Sequence, residues 1–249
     1  MTAGVFFDLD RTLMAGSSGF HWARAARRAG LTTRRQLAND ALENIRFRLR
    51  GSTDEATRVV RDRVGAFLEG RRVRELERLS PMVLAGVLPR LYPRMLEVAY
   101  DHQDAGRPVF IVTAATQGTA DMLARVLFFD GAAGSKLEER DGVYTGRFDG
   151  AFCYGDGKPV RMRELAAERG IDLEQSWAYS DSASDLPMLR AVGHPVAVNP
   201  DAELARVARE EGWDVMTFET LGRRLKVAAA FLAFTAVGGA SRKVVRGRA

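Results

Sequence analysis

Cysteine is almost missing from this chain of 249 residues, which carries one, Cys153. A single thiol excludes an internal disulfide framework and fits a reducing compartment; with no histidine or second cysteine nearby, Cys153 reads as a small buried residue. Histidines, at 21, 102 and 194, are too few and too scattered for a zinc site. The opening MTAGVFFDLD lacks a basic start and reaches acid after a short apolar stretch, so no secretory leader is expected and the chain reads as cytoplasmic. Nucleotide loops are lacking too. GDGKP (155–159) has Phe152 where a P-loop requires its first glycine and Pro159 where it requires Ser or Thr, and no Gly-x-Gly-x-x-Gly follows a strand. The nucleophile elbow of a Ser-His-Asp hydrolase is missing. There is no internal repeat and no low-complexity tract.

What is present describes an ordinary globular protein, with 46% hydrophobic and 28% charged residues. The length suits one large domain, or a core with an insertion. The net charge of +5 comes mostly from arginines between Arg24 and Arg78. Such a surplus attracts phosphate esters, nucleic acid or anionic lipid. Because acids interleave with these arginines, a solvated helical face explains them better, and no nucleic-acid partner is expected.

VFFDLDRTLM (5–14) places two aspartates one residue apart at the end of an apolar run. Val5, Phe6 and Phe7 fit a parallel strand covered on both faces. Ligands of open parallel sheets bind beyond the carboxyl ends of the strands, which is where Asp8 and Asp10 fall. A lone aspartate there would read as a turn cap; Asp-x-Asp-x-Thr directly after a buried strand reads as chemistry.

Residues 17 to about 80 show only helical spacing, in HWARAARRAG, RQLANDALENIRFRLRG, TDEATRVVRDRVGAFLEGR and RVRELERLSPMVLAGVL, with Gly30, Gly51 and Gly70 as stops. YPRMLEVAYDHQDAG is a further helix ending at Gly106. Strand character returns at RPVFIVTAA (107–115). The rest alternates: TADMLARVLFF helical, SKLEERDGVYTGRFDG a hairpin turning at Asp141-Gly142, KPVRMRELAAERG helical, SWAYSD a strand, DLPMLRAVG a short helix, HPVAVN a strand, then PDAELARVAREEG and WDVMTF as a last helix and strand. The expected fold is α/β, a doubly wound, mostly parallel sheet with an inserted all-helical domain. Residues 1–15 and 90–222 form the core, 16–89 the helical cap, and 223–249 an apolar helix with a basic tail.

Three further stretches fall at strand ends or helix starts. FIVTAAT closes on Thr113, GDGKP puts Lys158 at the head of a helix, and YSDSASDLPML supplies Asp181 and Asp185. With Asp8 and Asp10 these make four carboxylates, one cation and one hydroxyl near one sheet edge. Four acids share a small site only if cations neutralise them. Hard oxygen ligands imply Mg²⁺, and Mg²⁺ with few protein ligands implies a phosphate partner.

Asp-Leu-Asp-Arg-Thr, Thr113, Lys158 and Asp181-x-x-x-Asp185, in that order, resemble the four motifs of the haloacid dehalogenase superfamily, and the helical insert resembles its phosphoserine-phosphatase-like branch of actinobacterial type. The likeness covers about residues 3 to 218. It implies a Mg²⁺-dependent phosphomonoesterase in which Asp8 is the nucleophile forming an aspartyl-phosphate and Asp10 the general acid and base. Thr113 and Lys158 would bind the phosphoryl group. Asp8, the backbone carbonyl of Asp10, Asp181 and, in the first or second shell, Asp185 would hold the metal. Thr12 would steady the loop. An aspartate at position 10 argues for a phosphatase or mutase, since the superfamily's ATPases carry threonine there.

Departures bear on substrate. Phosphoserine phosphatases usually have a glutamate at the position of Ser17, Ser-Gly-Gly where Thr113-Ala114-Ala115 stand here, and Gly-Asp in place of Ser180-Asp181. GSSG (16–19) either touches substrate or serves as a hinge. Among inward-reaching basic side chains, Arg46, Arg48, Arg50 and Arg58 are candidates for selecting the leaving group.

VAAAFLAFTAVGGAS (227–241) has no charge and basic flanks. At about 1.5 Å per residue it reaches roughly 22 Å, short of the about 30 Å of a bilayer core. It either packs as a last helix or lies on an anionic membrane face, making the protein membrane-peripheral. The expected substrate is a small metabolite phosphate, phosphoserine foremost. The alternatives are a lipid-linked or lysophospholipid phosphate, a phosphomutase reaction, and a non-catalytic binding protein.

Overall fold

The computed structural model describes residues 2–33 and 54–218. Several expectations therefore lie outside the described residues: the helical segment RQLANDALENIRFRLRG with the Gly51 stop, the side chains of Arg46, Arg48 and Arg50, and the apolar stretch 227–241. Met1–Val215 form one compact unit. The second, Met216–Ala249, is described only as far as Phe218.

Strand β1 (Thr2–Phe7) is the axis of the molecule. Its run Val5-Phe6-Phe7 is wholly buried because strands pair with it on both sides. On one side β2 (Val109–Thr116) lies parallel with Phe6 opposite Phe110; on the other β6 (Ile171–Ser180) lies parallel with Phe6 opposite Ala178. With β3 (Gly131–Ser135), β7 (His194–Val198) and β8 (Asp214–Met216) they make a six-stranded sheet of order β3-β2-β1-β6-β7-β8. Chain order thus reverses at β1, and a crevice opens at the carboxyl ends beside it.

Helices cover both faces, as a doubly wound sheet requires. Phe6 stacks on Phe110 at 5.5 Å between centroids, among Met162, Leu165, Met188 and Leu204. Phe7 points the other way, stacked 4.4 Å from Tyr179, whose hydroxyl meets His102.

Helix α1 (Ser18–Arg28) ends at Gly30, whose φ of 77° places it in the left-handed region. The N–H of Leu31 then reaches the Ala26 carbonyl and that of Gly30 the Arg27 carbonyl, a glycine-terminated cap. Helix α2 (Asp54–Leu68) ends before Gly70. RVRELERLSPMVLAGVL, expected as one helical segment, divides into α3 (Val73–Glu77) and α4 (Ser80–Val87), followed by a 3-10 turn at Leu88–Arg90. Pro81 lies in the first turn of α4, where its missing N–H costs nothing, and so starts a new helix. The chain leaves and re-enters side by side: the Ala15 N–H bonds the Arg90 carbonyl at 2.7 Å and the Tyr92 N–H the Leu13 carbonyl at 2.9 Å.

Beyond α5 (Pro93–Asp104), helix α6 (Gln117–Val126) is shorter than its sequence pattern. Phe128, expected to be helical, takes a φ of 56° and closes a cap in which the Phe129 N–H bonds the Ala124 carbonyl. The hairpin turns as expected. Asp141 (φ 53°) and Gly142 (φ 74°) join β4 (Leu137–Arg140) to β5 (Val143–Phe148), with Arg140 opposite Val143. Helix α7 (Gly157–Arg169) starts where the chain almost touches itself: a Cβ at Gly157 would lie 1.8 Å from the Phe152 carbonyl oxygen. Glycine there lets the next residue, Lys158, enter the core. A short α8 (Leu186–Leu189) and α9 (Ala202–Glu210) complete the described helices.

Candidate active site

Asp8 is the first residue beyond β1, 6% exposed, its N–H bonded to the Tyr179 carbonyl at 2.9 Å. Lys158, at the second position of α7, reaches it from across the crevice. Its Nζ lies 2.5 Å from Asp8 Oδ1 and 2.6 Å from Asp185 Oδ2. Ser180 Oγ donates to the same Asp185 oxygen at 2.6 Å. All three charged groups are buried.

Asp181 follows β6 directly and is 5% exposed. The guanidinium of Arg11, at the left-handed position of the Asp-x-Asp loop (φ 64°), approaches its Oδ2 to 2.8 Å. Asp201 anchors the loop between Asp181 and Asp185: its N–H bonds the Asp181 carbonyl, its Oδ2 accepts the Ala183 N–H at 3.0 Å, and its Oδ1 caps α9 through the Leu204 N–H.

Asp10 faces elsewhere. Its Oδ2 accepts from Ser17 Oγ and its Oδ1 from the Ser18 N–H, each at 2.8 Å, so this carboxylate caps α1. Thr113 is buried near the end of β2, where its Oγ1 accepts the Ala115 N–H at 3.3 Å. Thr12 is buried without a hydrogen-bond partner for its hydroxyl among the described residues. Direct contact thus joins Asp8, Lys158 and Asp185; Asp181 belongs to their electrostatic field; Asp10 and Thr113 flank them.

That field is strained. Burial pushes the Asp8 carboxyl well above the usual range; Lys158 opposes this, and Asp185, Asp181 and Asp10 add to it. Asp181 is pushed up to about 7, by burial first, with Arg11 pulling it down and Asp185 pushing it up. Burial works against the Lys158 ammonium, yet Asp185 and Asp8 outweigh it and hold its pKa above the usual value. Two cations, Lys158 and Arg11, set against Asp8, Asp10, Asp181 and Asp185 leave excess negative charge at this sheet edge. The donors are hard oxygens, the chemistry that suits Mg²⁺. Among the described residues no three side chains of the kind that ligate metals converge as a ready cage. A fitting cation would use the Asp8 and Asp181 carboxylates with a backbone carbonyl.

Arg11 and Asp201 were not legible as site residues, whereas Ser17 was singled out as the position at which phosphoserine phosphatases carry glutamate. For Asp201 the signal was present, as the cap of PDAELARVARE; Ser17 sits just before α1 but turns its hydroxyl to Asp10. Arg58 is exposed on α2. Cys153 is the buried small residue expected, its thiol pushed up to about 12 by burial.

A parallel sheet with a buried lysine bridging two carboxylates at its carboxyl edge, and helices inserted after the first strand, defines a class of hydrolase. The family model for haloacid dehalogenase-like hydrolases matches residues 5–190. Over 245 residues the chain is 37% identical to "Phosphoserine phosphatase SerB1" of Mycobacterium tuberculosis, covering 96% of this chain and 79% of that one. It is 31% identical to the "Histidinol-phosphatase" of Neisseria meningitidis, covering 86% and 97%. A crystal structure of a protein with unknown function from Bordetella pertussis superposes with a TM-score of 0.74 at 30% identity, covering 87% and 99%. The chain belongs to the haloacid dehalogenase-like hydrolase family and is an enzyme of it, similar to a protein named as a phosphoserine phosphatase.

Proposed function

We propose that the protein is a Mg²⁺-dependent phosphomonoesterase that turns over small phosphorylated metabolites through an aspartyl-phosphate on Asp8. The observation that carries this reading is the buried bridge from Lys158 to Asp8 and Asp185 at the carboxyl edge of the sheet. A scaffold protein has no use for buried charges that cost several kcal/mol to desolvate, which speaks against a non-catalytic binding role. The helices between Ala15 and Arg90 act in this reading as a cap over residues 1–15 and 90–222.

Lys158 holds Oδ1 of Asp8, and Oδ2 carries no protein hydrogen bond among the described residues, so Oδ2 is the attacking atom. It forms a bond to phosphorus as the bond to the leaving oxygen breaks, and Asp10 delivers its proton to that oxygen. Water then attacks the aspartyl-phosphate and gives a proton to Asp10; phosphate departs, and the Asp8 carboxylate is restored. Lys158 and Thr113 stabilise the phosphoryl oxygens. Asp8, the Asp10 carbonyl and Asp181, with Asp185 beside them, are the residues that would hold Mg²⁺, which neutralises phosphoryl charge when bound.

Ser17 stands where phosphoserine phosphatases usually carry glutamate, and its hydroxyl is committed to Asp10. Preference for phosphoserine is therefore open to competition, and the Neisseria relative makes histidinol phosphate the second substrate to try. A lysophospholipid phosphate is the third, although no helix among the described residues is long and apolar enough to cross a membrane. The single, buried cysteine supports a reducing, cytoplasmic setting.

Phosphate release from phosphoserine, histidinol phosphate, lysophosphatidic acid and 4-nitrophenyl phosphate, with Mg²⁺ or with EDTA, tests the reading. Turnover should vanish in EDTA and in Asp8→Asn. Full activity of Asp8→Asn, or inertness toward every ester, would overturn it.

A further inference from the structure

A groove of about 290 Å³ opens between α1 and α4, and among the described residues its charged and titratable lining is His21, Arg24, Arg28 and Arg90, over a floor that includes Met82 and Gly86. Among the described residues no acidic side chain lines it. Arg24, Arg28 and Arg90 are exposed and enter no ion pair among the described residues, whereas Arg94, Arg190 and Arg206 reach carboxylates. Arg24 and Arg28 stand one turn apart on the same helix, a like-charge spacing that is unfavourable without a counter-ion.

The field is felt at the floor. His21 packs directly on the α4 backbone, since a Cβ at Gly86 would lie 2.2 Å from its Nδ1. Its pKa is pushed down, first by burial and then by Arg90 and Arg24.

The groove also begins close to the reacting groups. Asp10 accepts the N–H of Ser18, the first residue of α1, and His21 stands on the next turn and senses the Asp10 charge. The backbone carbonyl of Arg90 accepts the Ala15 N–H at 2.7 Å, just past the Asp-x-Asp loop.

We propose that this groove is a second anion subsite, which binds a phosphate or similar oxyanion carried on the leaving group of the substrate. The proposal rests on the phosphomonoesterase reading above and narrows its substrate class to esters with a second negative group. Guanidinium forks suit planar, multidentate capture of such oxyanions, and a cleft of one charge sign concentrates anions from solution.

The test uses the full chain and its Arg24→Gln/Arg28→Gln/Arg90→Gln variant with propane-1,3-diyl bisphosphate and with 4-nitrophenyl phosphate, whose leaving group has no second phosphate. The ratio of kcat/KM between the two esters should fall about tenfold or more in the variant, chiefly through KM. A constant ratio overturns the proposal, as does an equal loss on both esters. If the wild type hydrolyses neither ester, the phosphatase reading fails by itself, and calorimetric titration of the bisphosphate still judges the groove: weaker binding by the variant supports it, equal binding overturns it.

Discussion

The guanidinium of Arg11 lies 2.8 Å from the carboxylate of Asp181, a half-exposed cation on a buried acid. Asp181 is also one of the residues proposed to hold Mg²⁺, so Arg11 supplies counter-charge to the same carboxylate. Arg11→Gln should lower stability in EDTA by about 1–2 kcal/mol, the range for leaving one buried acid unpartnered, reduced because Arg11 meets solvent. With Mg²⁺ added the loss should shrink. Thermal melts of wild type and variant in both conditions read this out; an equal loss with and without Mg²⁺ would contradict a shared role for the carboxylate.

Lys158 carries a heavier burden, since Asp8 and Asp185 both depend on it. Lys158→Met strands two buried carboxylates and should cost about 3–5 kcal/mol. Adding Asp185→Leu removes one of them and should restore part of the stability without restoring phosphate release. Urea unfolding of the single and double variants decides this: if the second substitution deepens the loss, the bridge is not the main electrostatic link between these positions.

Phe128 offers a stability gain. It is 82% exposed and holds a left-handed φ of 56° at the position after the α6 cap where glycine is favoured. Phe128→Gly should raise stability by about 1 kcal/mol, because the Cβ strain disappears and little burial is lost. A lower unfolding midpoint for the variant would show that the exposed ring contributes more than the strain costs.

Much of the sheet was legible because its central strands are continuous apolar runs: VFF at β1 and VFIV at β2 admit few other readings. Strand β3 was not, since GAAGS offers neither β-branched nor aromatic residues. It pairs in parallel with β2 and is held further by side chains, with Gln117 Oε1 accepting the Gly134 N–H and Arg161 Nε reaching the Gly134 carbonyl. The first half of β6 was hidden by Asp172, Glu174 and Gln175, and by an irregular register at which Ser176 Oγ accepts the Gly4 N–H. In the site, the order of Asp8, Lys158, Asp181 and Asp185 along the chain pointed to one sheet edge. The partner of Asp181 could not be read, because Arg11 reaches it only through a left-handed backbone that arginine seldom adopts. The basic groove also escaped notice, since Arg24 and Arg90 are 66 residues apart in a sequence rich in solvated arginines.

His102 makes the fold sensitive to acid. Arg107 Nε lies 2.8 Å from its Nδ1, and because a guanidinium only donates, Nδ1 must be the acceptor. Its Nε2 then carries the proton and donates to Tyr179 Oη at 2.8 Å. The neutral ring is therefore the one that fits, and its pKa is pushed down to about 4, by burial first and then by Arg107. The unfolded chain binds a proton near the ordinary value of 6.5 while the folded one does not. Stability from this group is complete above about pH 6.5 and drains away as the pH falls toward 4, by about 3 kcal/mol at most. Other carboxylates titrate in the same range, so the comparison must be internal. His102→Gln, which keeps an acceptor for Arg107 and an amide donor, should lose less stability than wild type between about pH 7.5 and about pH 5. Parallel urea titrations at the two pH values measure it; equal losses in the two proteins would remove His102 as a source of acid sensitivity.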